Sequence, residues 1–173
     1  MIDDDLYGRG VANWTSWALP QPRITNPLTD PDGRRATGGQ DDADLWFVGG
    51  GFGGAVQRSW QMPAGRRLFF PVAVRWLKWH FIAPKPRLDV QSWYASFDGD
   101  PIEPVDITMT KIPLEIREGS PAFDVDRDET FKVSVSGLWG LSPVVRPGEH
   151  ELLFGWNDSQ GFDLSVRCLV TAI

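Results

Sequence analysis

The sequence predicts an all-β protein, an antiparallel β-sandwich of the jelly-roll or immunoglobulin-like kind, with about nine strands and one short N-terminal helix. Three observations lead to this prediction. From residue 45 onward, apolar and polar residues alternate with a period of two, as in strands with one buried face. The alternating runs recur roughly every 10 residues, with Gly, Pro and Asp turns between them. No recurring helical pattern separates the runs, which argues against a parallel α/β sheet.

The short helix is predicted within residues 6–19. Val11, Trp14 and Trp17 recur there at helical spacing. Pro20 ends the pattern, because proline lacks a backbone N–H and its ring clashes with the preceding turn. We expect this helix to lie on the rest of the fold through its two tryptophans.

Residues 20–44 are predicted to form a long ordered loop. They are rich in Pro, Asp, Gly and Asn and show little periodicity. No internal repeat and no linker divides the sequence, and a chain of 173 residues is most simply one domain. The predicted organisation is therefore one domain over residues 1–173, with the helix and loop arm in 1–44 and the sandwich in 45–173.

The β region consists of short alternating runs: “LWFV”, “AVQRSWQM”, “RLFFPVAVRW”, “VQSWYASF”, “VDITMT”, “IPLEI”, “TFKVSVS”, “HELLFGW” and “FDLSVRCLVTAI”. In the second run, for example, Val56, Trp60 and Met62 fall on one face. The third run is apolar on both faces, which suits a strand covered on both sides, and Pro71 within it predicts a bulge or a sheet edge. The “DGDP” that follows the fourth run predicts a turn of the Asp-Gly type.

The stretch “VGGGFGGAV” raises the question of a dinucleotide site, because Gly49, Gly51 and Gly54 fit G-x-G-x-x-G. Such a site needs a helix that begins at the third glycine. The following residues instead alternate with period two and soon reach Pro63, and residues 68–76 contain no Asp or Glu. We therefore predict a β-hairpin, in which “LWFV” reverses into “AVQRSW” through the glycines.

The overall charge narrows the range of partners. The formal net charge is −6 and the pI about 4.8, with no Lys/Arg cluster, which argues against a nucleic-acid or anionic-membrane surface. No apolar run approaches the roughly 18 residues of a membrane span. The start, “MIDDDLYGRG”, lacks the basic and apolar parts of a secretory signal. We expect a cytoplasmic protein, or an exported one if a native leader has been removed.

Metal, disulfide and cofactor chemistry find little support in the sequence. The single cysteine, Cys168, excludes an internal disulfide, and its phase with Val166 and Val170 predicts a buried structural thiol. The stretch “DVDRDE” at 124–129 starts like a calcium loop but has Glu129 where that loop needs glycine. We predict neither a metal site nor a cofactor.

Nine tryptophans in 173 residues are unusually many. Trp76, Trp79 and Trp93 cluster in sequence with Tyr94, and alternation leaves at least one of them facing away from the core. Exposed aromatic residues are typical of recognition surfaces. We predict that these four residues form a ligand-binding face, with Phe52 of the glycine-rich stretch as part of one wall. The alternative is that the aromatic residues pack against the N-terminal helix.

Candidate acid–base residues are few. The two histidines, His80 and His150, lie about 70 positions apart, and no spacing signal links either to a nucleophile or a metal site. His150 follows a Pro-Gly turn in phase with an apolar face, which favours a structural histidine bonded to a turn carbonyl. His80 lies beside Trp79, so it is the better of the two histidines for a proton-transferring role; His80, Tyr94 and His150 are the candidates for that role.

Several stretches together resemble a widespread, uncharacterised family of β-rich bacterial and archaeal proteins, many of them exported. These stretches are “ANWTSWALPQPRITNPLTDPDG”, “GGQDDADLWFVGGGFGGAVQRSWQMPAGRRLFFPV” and “GLWGLSPVVRPGEHELLFGW”. The resemblance is poorest over residues 83–130 and implies no activity, cofactor or site residue. The resemblance implies that exported members carry two cysteines, paired as a disulfide, where this chain has Ala36 and Trp60, and that a member without both belongs to a reducing compartment.

Two classes of function remain open. In the first, the protein is a non-catalytic binding module whose Trp-rich face recognises an apolar, aromatic or carbohydrate ligand, or a protein, and which could also form a homodimer. In the second, it is a small cofactor-free cyclase or isomerase of bacterial secondary metabolism, with an aromatic cavity and a His or Tyr as acid–base. The binding module is slightly favoured, because the sequence shows no recognisable arrangement of acid–base residues.

Overall fold

The computed structural model describes residues 4–81 and 85–173. Within them the chain forms one α-helix, one short 3₁₀ helix and nine strands. Their bounds are α1 Asp4–Ala18, the 3₁₀ helix Pro27–Thr29, β1 Leu45–Phe47, β2 Gly54–Met62, β3 Arg67–Lys78, β4 Ser92–Phe97, β5 Asp100–Pro101, β6 Val105–Ile116, β7 Glu129–Val144, β8 Gly148–Asn157 and β9 Asp163–Ala172. The prediction of an all-β protein with one short N-terminal helix is confirmed.

The strands form two sheets that pack together. Sheet A has the order β1-β3-β7-β6, and sheet B has the order β2-β9-β8-β4-β5. Most neighbouring strands are antiparallel, as predicted, but β1 runs parallel to β3 and β2 runs parallel to β9. The sheets are therefore mixed, which corrects the prediction of a wholly antiparallel sandwich. Side chains alternate in the same way in both kinds of strand, so the sequence pattern does not distinguish them.

Helix α1 covers the face of sheet A that points away from sheet B. One apolar core lies between the two sheets and includes Phe70 and Trp156. A second core lies between α1 and sheet A and includes Phe69, together with the predicted helix anchors Trp14 and Trp17, both buried. Sheet A is thus covered on both faces, which explains why β3 is apolar on both faces.

The predicted hairpin at the glycine-rich stretch is wrong. Strand β1 belongs to sheet A and β2 to sheet B, so residues 48–53 carry the chain from one sheet to the other. We call this segment the crossover. Gly53, with φ of 118°, occupies a conformation that favours glycine, whereas Gly49 is needed for space, because an added Cβ would lie 2.9 Å from the carbonyl oxygen of Pro27. A crossover and a hairpin use the same turn residues, so local sequence does not separate them.

Strand β3 carries the bulge that Pro71 predicts. Its pairing with β7 shifts register between Pro71 and Ala73. On its other side β3 pairs with β1, and this pairing extends only from Arg67 to Phe69.

Strands β2 and β9 follow the predicted alternation, whereas β7, in the middle of sheet A, is buried on both faces from Val133 to Gly137. The runs “VDITMT” and “IPLEI”, predicted as separate strands, form the single strand β6, whose pairing with β7 shifts register between Met109 and Ile112. The Asp98-Gly99 turn joins β4 to β5 with φ angles of 51° and 86° at its two central residues.

Cys168 on β9 is buried, and this burial raises the pKa of its thiol to about 12. Among the described residues, no helix has both the length and the apolar character needed to cross a membrane.

Candidate ligand-binding cleft

A cleft of about 220 Å³ opens between the crossover, β3 and sheet B. Its lining is mainly apolar and includes Phe52, Val74, Trp76, Trp156, Phe162 and Leu164. Concave sites with aromatic walls are typical of ligand recognition. An apolar cavity of roughly 150 Å³ is enough to hold benzene, so this cleft has room for one aromatic ring with its substituents.

The aromatic walls come from segments far apart in sequence. Phe52, on the crossover, and Trp76, on β3, meet edge to face, with ring centroids 6.2 Å apart and an interplanar angle of 81°. On the sheet B side, the ring centroids of Trp156 and Phe162 lie 4.7 Å apart. Phe52 keeps 46% of its surface exposed, so its ring forms part of the mouth of the cleft.

Helix α1 contributes Trp14 to the cleft lining. The Trp14 indole N–H donates a hydrogen bond to the carbonyl oxygen of Val48 at 2.9 Å. Its ring packs edge to face on that of Trp139, with ring centroids 5.2 Å apart. Both indoles are fully buried. The hydrogen bond therefore ties the helix to the start of the crossover and places a rigid aromatic surface beside the cleft.

The crossover is held by a buried arginine. Arg58 on β2 has only 3% of its surface exposed. Its guanidinium donates to the carbonyl oxygens of Gly49 and Gly50 at 2.6 and 2.8 Å, and its Nε donates to that of Asp30 at 2.8 Å. Burial lowers the pKa of Arg58, but the surrounding carbonyl dipoles satisfy its donors. One side chain thus holds two consecutive glycines of the crossover, of which Gly50 lines the cleft.

Two charged residues contribute to the cleft lining, Arg75 from β3 and Asp158 from the turn after β8. Oδ1 of Asp158 accepts hydrogen bonds from the backbone N–H groups of Gln160 and Phe162, both at 2.8 Å, so this carboxylate shapes the turn that carries Phe162. The backbone of Arg75 pairs with Ser136 of β7, but its side chain forms no hydrogen bond or ion pair with any other residue of 4–81 and 85–173. Its guanidinium donors are therefore available to a ligand.

The five predicted ligand-binding residues occupy several places in the fold. Phe52 and Trp76 line the cleft. Trp79 lies beyond the end of β3, where the ammonium groups of Lys111 and Lys132 approach its ring at 5.4 and 5.9 Å. 

The other two predicted residues lie on β4 in sheet B. Trp93 pairs across the strands with Trp156 and is 38% exposed. Tyr94 is 47% exposed, and its side chain lies over Gly155, where an added Cβ would sit 2.7 Å from the phenolic oxygen. Neither residue contributes to the cleft lining.

The acid–base candidates also lie outside the cleft lining. Both ring nitrogens of His150 are engaged: Nδ1 lies 2.7 Å from Oδ2 of Asp98, and Nε2 lies 2.8 Å from the carbonyl oxygen of Arg146. Partial burial disfavours the imidazolium, yet the bonds to Asp98 and Arg146 outweigh it and raise the pKa of His150. His80 is exposed, just beyond the end of β3.

The acidic stretch 124–129 forms hydrogen bonds with the neighbouring residues 117 and 118 through Asp128. The carboxylate of Asp128 accepts a hydrogen bond from the backbone N–H of Glu118 at 2.8 Å and another from Arg117 at 3.0 Å, and these bonds lower its pKa. Across residues 4–81 and 85–173, no group of three or more His, Cys, Asp or Glu side chains is arranged to hold a metal ion.

Sequence reasoning missed much of the cleft. Trp156 lies in phase with Leu152 and Phe154 on the apolar face of β8, which predicts a core residue; it is buried, but one part of it also faces the cleft. Arg58 lies in phase with Trp60 and Met62 on the buried face of β2, and this charge within an apolar pattern is the signal that could have revealed the anchor. Phe162 and Asp158 lie in a turn that carries no comparable signal.

No protein-family model and no curated protein sequence matches this chain. Among solved structures, the chain is similar to the solution structure of amebosin, with 7% sequence identity and a TM-score of 0.25. That match covers 75% of this chain and 100% of amebosin. A likeness at this level carries no argument about fold or function, so the family resemblance noted from the sequence stays a prediction.

Proposed function

We propose that this protein is a non-catalytic binding module that takes an apolar or aromatic group of its ligand into the cleft beside β3. The observation that carries the proposal is the convergence of Phe52, Trp76, Trp156 and Phe162 around a space of about 220 Å³. Aromatic walls supply apolar contact and edge-to-face geometry for a ring. The free donors of Arg75 add a polar contact at the same site.

The geometry supports binding over catalysis. A general acid or base must lie within hydrogen-bond reach of the reacting atom. His80, Tyr94 and His150 are absent from the cleft lining, and the nitrogens of His150 already have partners. The cofactor-free cyclase or isomerase is therefore the less supported alternative.

We infer the partners and the cellular location of the proposed binding module from its net charge and from its missing cysteines. A net charge of −6 disfavours nucleic acid and anionic membranes as partners. The loss of both cysteines of the resembling family, at Ala36 and Trp60, supports a cytoplasmic location. A small ligand or a protein that presents an apolar group remains the partner we propose.

The test uses N-acetylphenylalaninamide and indole as ring-bearing probes, with binding followed by two-dimensional NMR. We expect chemical-shift changes at the Gly50, Gly51 and Trp76 signals. The Phe52→Ala variant should weaken binding about three- to tenfold, because it removes one aromatic wall.

Phe81→Ala is the matched control. Phe81 is 92% exposed and contacts Trp79 outside the cleft lining, so its removal deletes an equal ring without touching the site. Equal weakening by both variants, or probe-induced shifts confined to other surfaces, would contradict the proposal.

A further inference from the structure

Strand β3 leaves one side without a partner strand. It runs over Arg67–Lys78, but β1 pairs with it only from Arg67 to Phe69. After β1, the crossover turns away to sheet B. Within the described ranges 4–81 and 85–173, no strand continues the ladder on this side of β3 beyond Phe69. Such an edge presents backbone N–H and C=O groups that can pair with another strand.

The register identifies which backbone groups face this open edge. The N–H of Trp79 donates to the carbonyl oxygen of Lys132 at 2.7 Å, directly after the pairing of Lys78 with Val133. Backbone groups alternate between the two sides of a strand, so those of Arg75 also point to β7. Those of Val74, Trp76 and Lys78 then point to the open edge. None of them forms a hydrogen bond outside the sheet ladder with another described residue.

The cleft lies against this same edge. Val74, Arg75 and Trp76 are consecutive residues whose side chains alternate between the two faces of sheet A, yet all three contribute to the cleft lining. A single space can touch both faces of a strand only around its edge. The open backbone groups and the ring-sized cleft are therefore one continuous surface.

We propose that an extended peptide segment of another protein adds as a strand to β3 at Val74–Lys78 and places an aromatic side chain in the cleft. This inference rests on the proposed function and names the class of its ligand. Strand addition supplies main-chain hydrogen bonds, and a pocket beside the edge selects one side chain. Arg75 is free to pair with a carboxylate of the peptide.

The edge is short and bounded by residues that discourage uncontrolled pairing. Pro71 lies at its start and Lys78 at its end, and both residue types are used to protect edge strands. Only three residues of this stretch, Val74, Trp76 and Lys78 itself, offer backbone groups to the open edge. That length suits a short peptide better than the long edge of a second copy.

The peptide side of the test is selection from a phage-displayed library of random peptides about 12 residues long, panned on the full chain. We expect enriched peptides to share an aromatic residue. N-methylation of the best peptide at alternate positions should weaken binding about tenfold, since each such change removes one main-chain hydrogen bond, whereas the intervening positions should tolerate it.

The protein side of the test compares two proline variants. Val74→Pro removes an N–H that faces the open edge, so it should keep the fold and weaken the selected peptide about tenfold. Arg75→Pro removes an N–H that faces β7, so it should lower the melting temperature strongly. Equal melting temperatures of the two variants would refute the register on which the inference depends. The N-methylation series does not require either variant to fold.

Binding of N-acetylphenylalaninamide separates this inference from the proposed function. If the probe binds in the cleft but no peptide is enriched, or N-methylation has no alternating effect, the strand addition is refuted and the binding module stands. If neither probe nor peptide binds, both proposals fall. A dimer in light scattering that dissociates with Val74→Pro would show a second copy at the edge and overturn the peptide proposal.

Discussion

Replacement of Arg58 by methionine tests whether one buried side chain holds the crossover in place. Methionine has a similar length and fills much of the same volume, so the substitution removes the donors with little change in packing. The carbonyl oxygens of Asp30, Gly49 and Gly50 would each lose a hydrogen bond of 2.6 to 2.8 Å. A longer bond of 3.4 Å to the carbonyl of Leu28 would also be lost.

The expected loss of stability can be worked out from these contacts. Hydrogen bonds to charged groups contribute about 1.5–3 kcal/mol each, so the three short ones together represent about 4–9 kcal/mol. The variant also avoids the cost of burying a guanidinium, which is several kcal/mol in proteins. We therefore expect the free energy of unfolding to fall by about 3–5 kcal/mol, a large part of the roughly 5–15 kcal/mol typical of a domain.

The assay is urea denaturation followed by tryptophan fluorescence, with Arg34→Met as the matched control. The Arg34 side chain is 89% exposed and pairs with Asp32 at the surface, so its replacement should cost less than about 1 kcal/mol. A loss below about 1 kcal/mol for Arg58→Met as well would refute the reasoning. It would mean that the crossover carbonyls find other partners and that Arg58 does not fix the cleft.

Two further predictions concern groups outside the cleft. The raised pKa of His150 stabilises the protein fully below the unfolded value of about 6.5, and this stabilisation is lost as pH rises through the folded value. As pH rises from about 6.5 through the folded value, the free energy of unfolding should therefore fall more in the wild type than in His150→Gln, and parallel pH profiles would contradict the Asp98 pairing. Cys168, with its pKa raised to about 12 and its side chain buried, should react with a thiol reagent only after unfolding, and native-state labelling at the rate of a free thiol would contradict its burial.

The sequence alone determined the local structure of this protein. Two-residue alternation in “VDITMT” and “HELLFGW” predicted β6 and β8, because burial of one face imposes that period on any strand. Helical spacing and Pro20 placed α1 and its two tryptophans, and the Asp-Gly turn and the bulge at Pro71 followed from backbone preferences of single residues. These features depend on residues a few positions apart, so the local sequence is enough to predict them.

Only the tertiary structure decided which strands pair and which aromatic residues meet. The glycine-rich stretch permits a hairpin or a crossover, and the choice depends on contacts of Val48 and Arg58 with segments far away in sequence, namely with Trp14 and Asp30. The same crossover brings Phe52 to Trp76 and leaves Trp79 and Tyr94 elsewhere. Alternation states which face of a strand a side chain occupies, but not which strand lies opposite. The cleft and the open edge of β3 are products of long-range pairing, which no local pattern encodes.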